Sequence, residues 1–312
     1  MTDPKLIAIT GASGLIGRAL TKKLRLENQP FLKLVRHPAS EERERFWNYS
    51  EKVLDGGIDD FDALVHLAGE TVDGHWSSYK KHLIYESRVQ STQFLVEKIL
   101  SSPSPPKVAV FASAIGFYGQ KRADWVTEES PPGAGFLAEV VEDWEQASKI
   151  LEEHGIRVVR LRLGVVLAKE GGALHKMLPV FRLGLGGAIG DGGQRMSWIT
   201  LSDVVELTWQ CIQSDSWHGN YNAVAPEVVS NLKFSRVLGK VLKRPAILKV
   251  PKFVLETVFG EMADSTVLSD LAVQPKRLIE MNFPFRHPKL QPALEDLLSE
   301  CPPFLTIPSS ES

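Results

Sequence analysis

The chain has 312 residues, 43% apolar and 24% charged, with a formal net charge of −2. This composition suits a folded protein of one large or two modest domains, and near-neutrality gives no electrostatic reason to expect nucleic acid or an anionic membrane as partner. The two cysteines, Cys211 and Cys301, are far apart without metal-ligand spacing, and the opening apolar run Leu6–Ile9 is too short for a signal peptide or membrane span, so a reducing, cytoplasmic setting is expected.

Leu6–Ile9 reads as a strand that ends in a glycine-rich turn. A helix follows, with Leu15, Ile16, Ala19, Leu20 and Leu24 on one face. Phe31–Val35 and Ala63–Ala68 are the next strands. One helix is expected over 77–100, stopped by the run Ser101-Ser102-Pro103-Ser104-Pro105-Pro106. Val108–Ala112 is nearly continuous in apolar residues, as a strand covered on both faces should be. Leu137, Val140, Val141, Trp144, Ala147 and Leu151 mark a helix over 136–151, and Ile156–Leu161 is the strand after it. The β-α alternation from residue 6 to about 166 predicts an α/β fold: a Rossmann-type, doubly wound parallel sheet. Beyond Val166 the texture changes to glycine-rich loops at 171–172 and 184–193, a helix over 203–211, and helices interrupted by prolines after Pro226. We expect a Rossmann domain over 1–225, with 168–195 partly on the substrate side, and a smaller α-rich C-terminal lobe over 226–312.

The turn Thr10-Gly11-Ala12-Ser13-Gly14-Leu15-Ile16-Gly17 lies directly between a strand and a helix. Glycines there let the backbone approach a pyrophosphate, and the helix start offers free N–H groups and a positive dipole end. The hydroxyls of Thr10 and Ser13 are expected beside the phosphates. At the tip of the next strand stand Arg36 and His37, where an NAD-binding protein usually has Asp or Glu. Arginine suits a ribose 2′-phosphate, so NADP(H) is the expected cofactor, with Arg18 reinforcing the positive field. Leu67-Ala68-Gly69-Glu70 ends the following strand. Its small residues admit close approach of a ribose, and a tight turn would also want Gly69.

These pieces, with Val65-His66-Leu67-Ala68-Gly69, Ala112-Ser113-Ala114-Ile115-Gly116-Phe117-Tyr118-Gly119 and Arg162-Leu163-Gly164-Val165-Val166-Leu167, resemble the extended short-chain dehydrogenase/reductases. Within them the chain is similar to the atypical YfcH-like group labelled "epimerase family protein". That closer likeness rests on Ser87-Arg88, Glu128-Glu129-Ser130-Pro131-Pro132, Ser197-Trp198-Ile199, Tyr221-Asn222-Ala223-Val224-Ala225-Pro226 and Pro275-Lys276-Arg277-Leu278. The resemblance implies an NADP(H) site with Arg36 and His37 at the adenosine phosphate and Leu67, Ala68, Arg88 and Arg162 along the cofactor. It also implies a substrate side built by Gln194, Arg195 and Trp198, the last of which fits a ring-stacking role and a core position equally. Where the group has Trp-Ile-His, this chain has Thr200 after Trp198-Ile199.

Working short-chain dehydrogenases use a Tyr-x-x-x-Lys pair, with a serine that orients the substrate oxygen. Ser113 stands at the place of that serine. Phe136 and Val140 stand where the pair belongs, and none of the tyrosines 49, 79, 85, 118 and 221 has a lysine four residues on. Phenylalanine cannot transfer a proton, so Tyr118 becomes the first candidate acid, followed by Glu70 and Glu139. Packed or solvated roles fit these three equally. No zinc motif, nucleophile elbow or spaced carboxylate pair is present, so no metal is expected. Two readings stay open: an NADP(H)-dependent oxidoreductase or nucleotide-sugar epimerase with a non-standard acid/base, or a non-catalytic, cofactor-binding regulatory or scaffold protein.

Overall fold

A computed structural model describes residues 6–251, 257 and 260–299. Cys211 is a buried free thiol, and Cys301 lies outside the described residues. The first half of the chain runs β1 (Ile7–Thr10), α1 (Leu15–Leu26), β2 (Phe31–Val35), β3 (Glu44–Asn48), β4 (Val53–Leu54), β5 (Ala63–His66), α2 (Ser78–Glu86), α3 (Val89–Ser101), β6 (Val108–Ala114), β7 (Lys121–Val126), α4 (Phe136–Glu153) and β8 (Arg157–Leu163). It continues through β9 (Val165–Leu167), α5 (Gly172–Arg182), β10 (Gly187–Ile189), β11 (Arg195–Met196), β12 (Trp198–Thr200), α6 (Leu201–Gln213) and β13 (Gly219–Ala223). Then come β14 (Val229–Ser230), α7 (Asn231–Leu242), β15 (Leu248–Val250), β16 (Asp270–Val273), α8 (Lys276–Glu280) and α9 (Leu290–Leu298).

Eight strands form one sheet in the order β13-β8-β6-β5-β1-β2-β3-β4. Every pairing in it is parallel except that of β3 with β4. The chain starts in the middle at β1, steps outward through β2, and then returns to β5 on the other side. That reversal opens a crevice at the carboxyl ends of β1 and β5, the place where open α/β sheets bind ligands.

Alternation along the strands builds a core on each face. Ile7, Ile9, Val65, Val110, Val159 and Leu161 pack with Leu20 and Leu24 of α1 and Val204, Leu207 and Ile212 of α6. Ala8, Leu64, Ala109, Phe111 and Val158 face the other way, toward Phe94, Leu95 and Ile99 of α3 and Leu151 of α4. A third core joins Leu167, Leu174, Leu178, Phe181 and Trp198 to Phe234, Leu238, Leu290 and Leu294. The C-terminal lobe is thus built on residues from both sides of Pro226. Pairing of β16 with β7 ties that lobe to the segment after β6.

Two helices differ from the sequence reading, and β3, β4 and β7 lie where it placed no strand. The single helix expected over 77–100 is broken at Ser87-Arg88 into α2 and α3, because both side chains turn inward to bond backbone groups. Helix α5 went unread: Leu174, Leu178 and Phe181 carry a helical stripe, but Pro179 inside it and the flanking glycines mask the pattern.

The three glycines of the first turn have different physical duties. Gly11 has φ +66°, and a Cβ there would stand 2.6 Å from the Leu67 carbonyl carbon. A Cβ on Gly17 would stand 2.3 Å from Gly11 O and 2.6 Å from Ala12 Cα, both fixed backbone. At Gly14 it would meet only Gly11 O, at 3.2 Å. We therefore expect Gly17→Ala to destabilise the fold by about 1–3 kcal/mol through overpacking, while Gly14→Ala changes stability far less. Denaturant midpoints of the two variants check this, and equal midpoints would remove the distinction.

Candidate functional site

The crevice at the ends of β1 and β5 opens into a groove of two connected parts. The outer part, about 1110 Å³, is lined by Ser13, Gly14, Arg18, Arg25, Arg36, His37 and Tyr49 among others. The inner part, about 580 Å³, runs past Leu15, Ile16, Gly17, Glu70 and Arg88 to Ser113 and the start of α4. Gly11, Gly14, Leu67, Ala68 and Gly69 line both parts, so the glycine turn is the saddle between them.

At the saddle, α1 begins on Gly14 with no side-chain cap. Its first backbone N–H groups face the groove without a protein acceptor, and the helix dipole favours an anion there. Arg18 folds back to donate to the Ser13 carbonyl, which stiffens the turn and places a cation beside it. Arg36 and His37 are exposed on the rim beyond β2, and His37 Nδ1 donates to Pro38 O at 2.9 Å. Among the described residues the guanidinium of Arg36 makes no side-chain hydrogen bond, and it lines the outer part of the groove.

Thr10 is placed differently from the expectation. Its side chain is wholly buried, and its Oγ1 accepts the N–H groups of Leu67 at 3.1 Å and Ala68 at 3.2 Å. The hydroxyl proton is then left for His66 Nδ1, 2.6 Å away. This fixes the tautomer of His66: Nδ1 accepts, and Nε2 carries the proton toward Ser91 Oγ at 3.1 Å. Ser91 Oγ in turn donates to Ser87 O at 2.7 Å. The Thr10 hydroxyl thus holds the two groove-forming turns together and has nothing left for a phosphate.

Ser113 lines the inner part, as expected, and its Oγ donates to Glu145 Oε1 at 2.6 Å. Glu145, on α4, is gripped by Arg162 through Nε–Oε1 at 2.8 Å and Nη2–Oε2 at 2.7 Å. Such a two-point pair fixes the carboxylate in position. It also corrects the expectation for Arg162, whose side chain is only 2% exposed and lies behind the groove wall. Tyr118 is likewise withdrawn. It is fully buried, donates to Asn222 Oδ1 at 2.7 Å and accepts from Arg162 Nη1 at 2.8 Å. Burial pushes its phenol up to about 12, against the pull of Arg162, so it is not an acid for the groove.

Phe136, at the place of the usual acid, packs against Trp76 with ring centres 5.4 Å apart, and Val140, at the place of the lysine, forms an apolar wall with Leu137. Arg88 does border the inner part. Its Nη1 donates to Glu70 O at 3.0 Å and Ile84 O at 3.2 Å, and its guanidinium lies over Trp144. Glu70 also lines the groove and pairs with Lys80 at 2.6 Å; Glu139 is an exposed first-turn residue of α4.

The three residues expected on the substrate side do not reach the groove. Trp198 is 0% exposed, inside the third core. Gln194 is buried and donates to Ile189 O at 3.3 Å. Arg195 spends its fork on Asp270 Oδ1 at 2.7 Å, Ala123 O at 2.8 Å and Arg122 O. Thr200 caps α6, accepting from Asp203 N at 3.3 Å.

Sequence reasoning missed Glu145 and the C-terminal wall of Ser265, Thr266, Ser269 and Leu271. A signal for Glu145 was present: arginines inside a buried strand, Arg160 and Arg162, demand buried acidic partners. Among the described residues no cluster of three or more His, Cys, Asp or Glu is arranged to hold a metal, and no helix is long and apolar enough to cross a membrane.

Residues 7–223 match the model of the NAD dependent epimerase/dehydratase family, and residues 250–297 match a domain of unknown function, DUF1731. An epimerase family protein of Mycobacterium tuberculosis is 35% identical over 291 residues, covering 93% of this chain and 96% of its own. The crystal structure of human epimerase family protein SDR39U1, determined with NADPH, superposes with a TM-score of 0.87 at 31% identity, covering 94% of this chain and 98% of that one. A nucleoside-diphosphate sugar epimerase from Corynebacterium glutamicum gives 0.78 at 34% identity, covering 95% of this chain and 58% of that one.

Burial, and after it the charge of Arg88, holds the His66 imidazole down to about 3, against an ordinary value of 6.5. The unfolded chain therefore takes up a proton below about pH 6.5 that the folded chain refuses until about pH 3. Stability contributed by the neutral ring is complete above that window and falls as pH drops through it, by about 1.4 kcal/mol per pH unit. Denaturation of the parent and of His66→Asn across this range should give curves that converge on acidification. Parallel curves would show that His66 titrates normally.

Proposed function

The chain belongs to the NAD dependent epimerase/dehydratase family, and we propose that it is an atypical short-chain dehydrogenase-like oxidoreductase that binds NADP(H) along the groove. The observation that carries the reading is the continuity of a cationic outer pocket, a glycine saddle and an inner chamber ending at Ser113. The residues present fit the cofactor. The uncapped start of α1 and the open space above Gly14 make a cradle for a pyrophosphate, space that a Cβ on Gly14 would take. Arg36, with Arg18 and Arg25 nearby, suits a 2′-phosphate. The relative determined with NADPH supports the same choice of nucleotide.

Bound there, the nicotinamide supplies a hydride donor or acceptor. The chain must then move one proton at the substrate oxygen. Ser113 directs its own proton at the Glu145 carboxylate, so its oxygen lone pairs face the chamber. A substrate hydroxyl gives its proton to Ser113 Oγ while the Ser113 proton passes to Glu145; reduction runs the same transfer backward. Arg162 holds Glu145 in place and balances its charge. This relay takes over the task of the missing tyrosine and favours turnover over a purely regulatory role. The low cysteine count and the lack of a membrane-crossing helix among the described residues agree with work in a reducing aqueous compartment, the cytoplasm.

Titration by NADPH fluorescence tests the binding reading. Arg36→Asp should weaken NADPH by roughly ten- to a hundred-fold, the worth of a charged hydrogen bond, and NADH little; equal losses would show that Arg36 does not read the phosphate. Gly14→Val should abolish binding of both nucleotides, and unchanged affinity would reduce the saddle to a turn. For the relay, transfer of deuterium from deuterated NADPH to a panel of carbonyl compounds should be lost in Ser113→Ala with NADPH affinity retained. Undiminished transfer in that variant would exclude Ser113.

A further inference from the structure

We infer that the inner chamber takes a small, uncharged, mostly apolar alcohol or carbonyl compound and not a nucleotide sugar. This rests on the dinucleotide reading above and names the substrate class for the same site. The first observation is the disposition of cations. A diphosphate must be met by charged forks or free N–H donors, because water is excluded where it binds. Among the described residues Arg88 is the one cation lining the inner chamber, and its guanidinium already bonds two carbonyls and lies over Trp144. Arg195 is held outside by Asp270 and two carbonyls.

The second observation is the wall. Ile115, Leu137, Val140 and Leu271 face the space around Ser113. The hydroxyls on the C-terminal side are partly engaged: Ser265 accepts from Gln120 at 2.8 Å, and the protons of Thr266 and Ser269 go to Met262 O and Thr266 O, both at 2.7 Å, which leaves the Ser265 proton as the one hydroxyl donor of this wall. A sugar ring needs several hydrogen-bonding partners at once, donors and acceptors on more than one side, whereas here the polar groups stand on one side and aliphatic side chains on the other. A ligand with one oxygen and an apolar body loses nothing. Ser113 meets the oxygen, and the aliphatic wall covers the rest. The third observation is size. The chamber holds about 580 Å³ in all, and the nicotinamide half of the cofactor would share it, so the part around Ser113 fits a small molecule best.

The test uses the full chain saturated with NADPH, whose own binding is recorded first by fluorescence. Saturation-transfer NMR is then read with benzylacetone, UDP-glucose and UDP-N-acetylglucosamine as probes. We expect saturable binding of benzylacetone, at least roughly ten-fold tighter than either UDP-sugar. Leu137→Asp should remove the benzylacetone signal, and Leu137→Met should keep it, with NADPH affinity retained in both. A UDP-sugar that binds as tightly and displaces benzylacetone overturns the inference, and so does failure of benzylacetone to bind the NADPH-loaded chain. Failure of NADPH itself to bind is a separate result, visible in the first step, and overturns the cofactor reading instead.

Discussion

The hydroxyl of Thr10 gathers two backbone N–H groups from the turn after β5 and gives its own proton to His66, which passes the chain of donors on to Ser91 and the break between α2 and α3. The turn after β1 and the turn after β5 are thereby set at one separation, with Gly11 pressed against Leu67 and Ala68 where no side chain fits. Both parts of the groove share these residues. A buried hydroxyl with every bonding capacity used is costly to disturb, so the saddle is rigid before any ligand arrives. Preformed geometry of this kind spends little on ordering when a phosphate group enters.

Charge is distributed along the groove to match. Cations cluster on the outer side, around Arg18, Arg25 and Arg36. Toward Ser113 the surroundings become apolar, and charges there are paired inside the wall, as Glu145 with Arg162, or engaged with backbone carbonyls, as Arg88. The field therefore orients a nucleotide with its phosphates outward. At the inner end aliphatic side chains predominate around the Ser113 hydroxyl.

The loss of the tyrosine–lysine pair is a rearrangement of the whole wall. Phe136 and Val140 contribute packing where an acid and a cation would stand, and a carboxylate from further along α4 approaches Ser113 from behind. The C-terminal lobe closes the same chamber through the pairing of β16 with β7. The inner chamber is thus shaped by a segment more than a hundred residues from the glycine turn.

The sequence alone determined the parallel sheet, the strand–turn–helix at the cofactor end and the cation at the tip of β2. These are local: hydrophobic period, glycine spacing and strand-end position are read within a few residues of one another. The absence of Tyr-x-x-x-Lys was equally legible, because it is a spacing along one helix. Only the tertiary structure decided which polar side chains face the groove. Thr10, Tyr118, Arg162, Gln194, Arg195 and Trp198 all sit in promising sequence positions, yet each turns away from the groove: Thr10, Tyr118, Arg162 and Arg195 bond to distant segments, Gln194 bonds to nearby Ile189 O, and Trp198 is packed in a core. Glu145 did the reverse and came to Ser113 across two elements. A buried polar group goes where its partner is, and that partner is fixed by packing between segments that sequence spacing does not bring together.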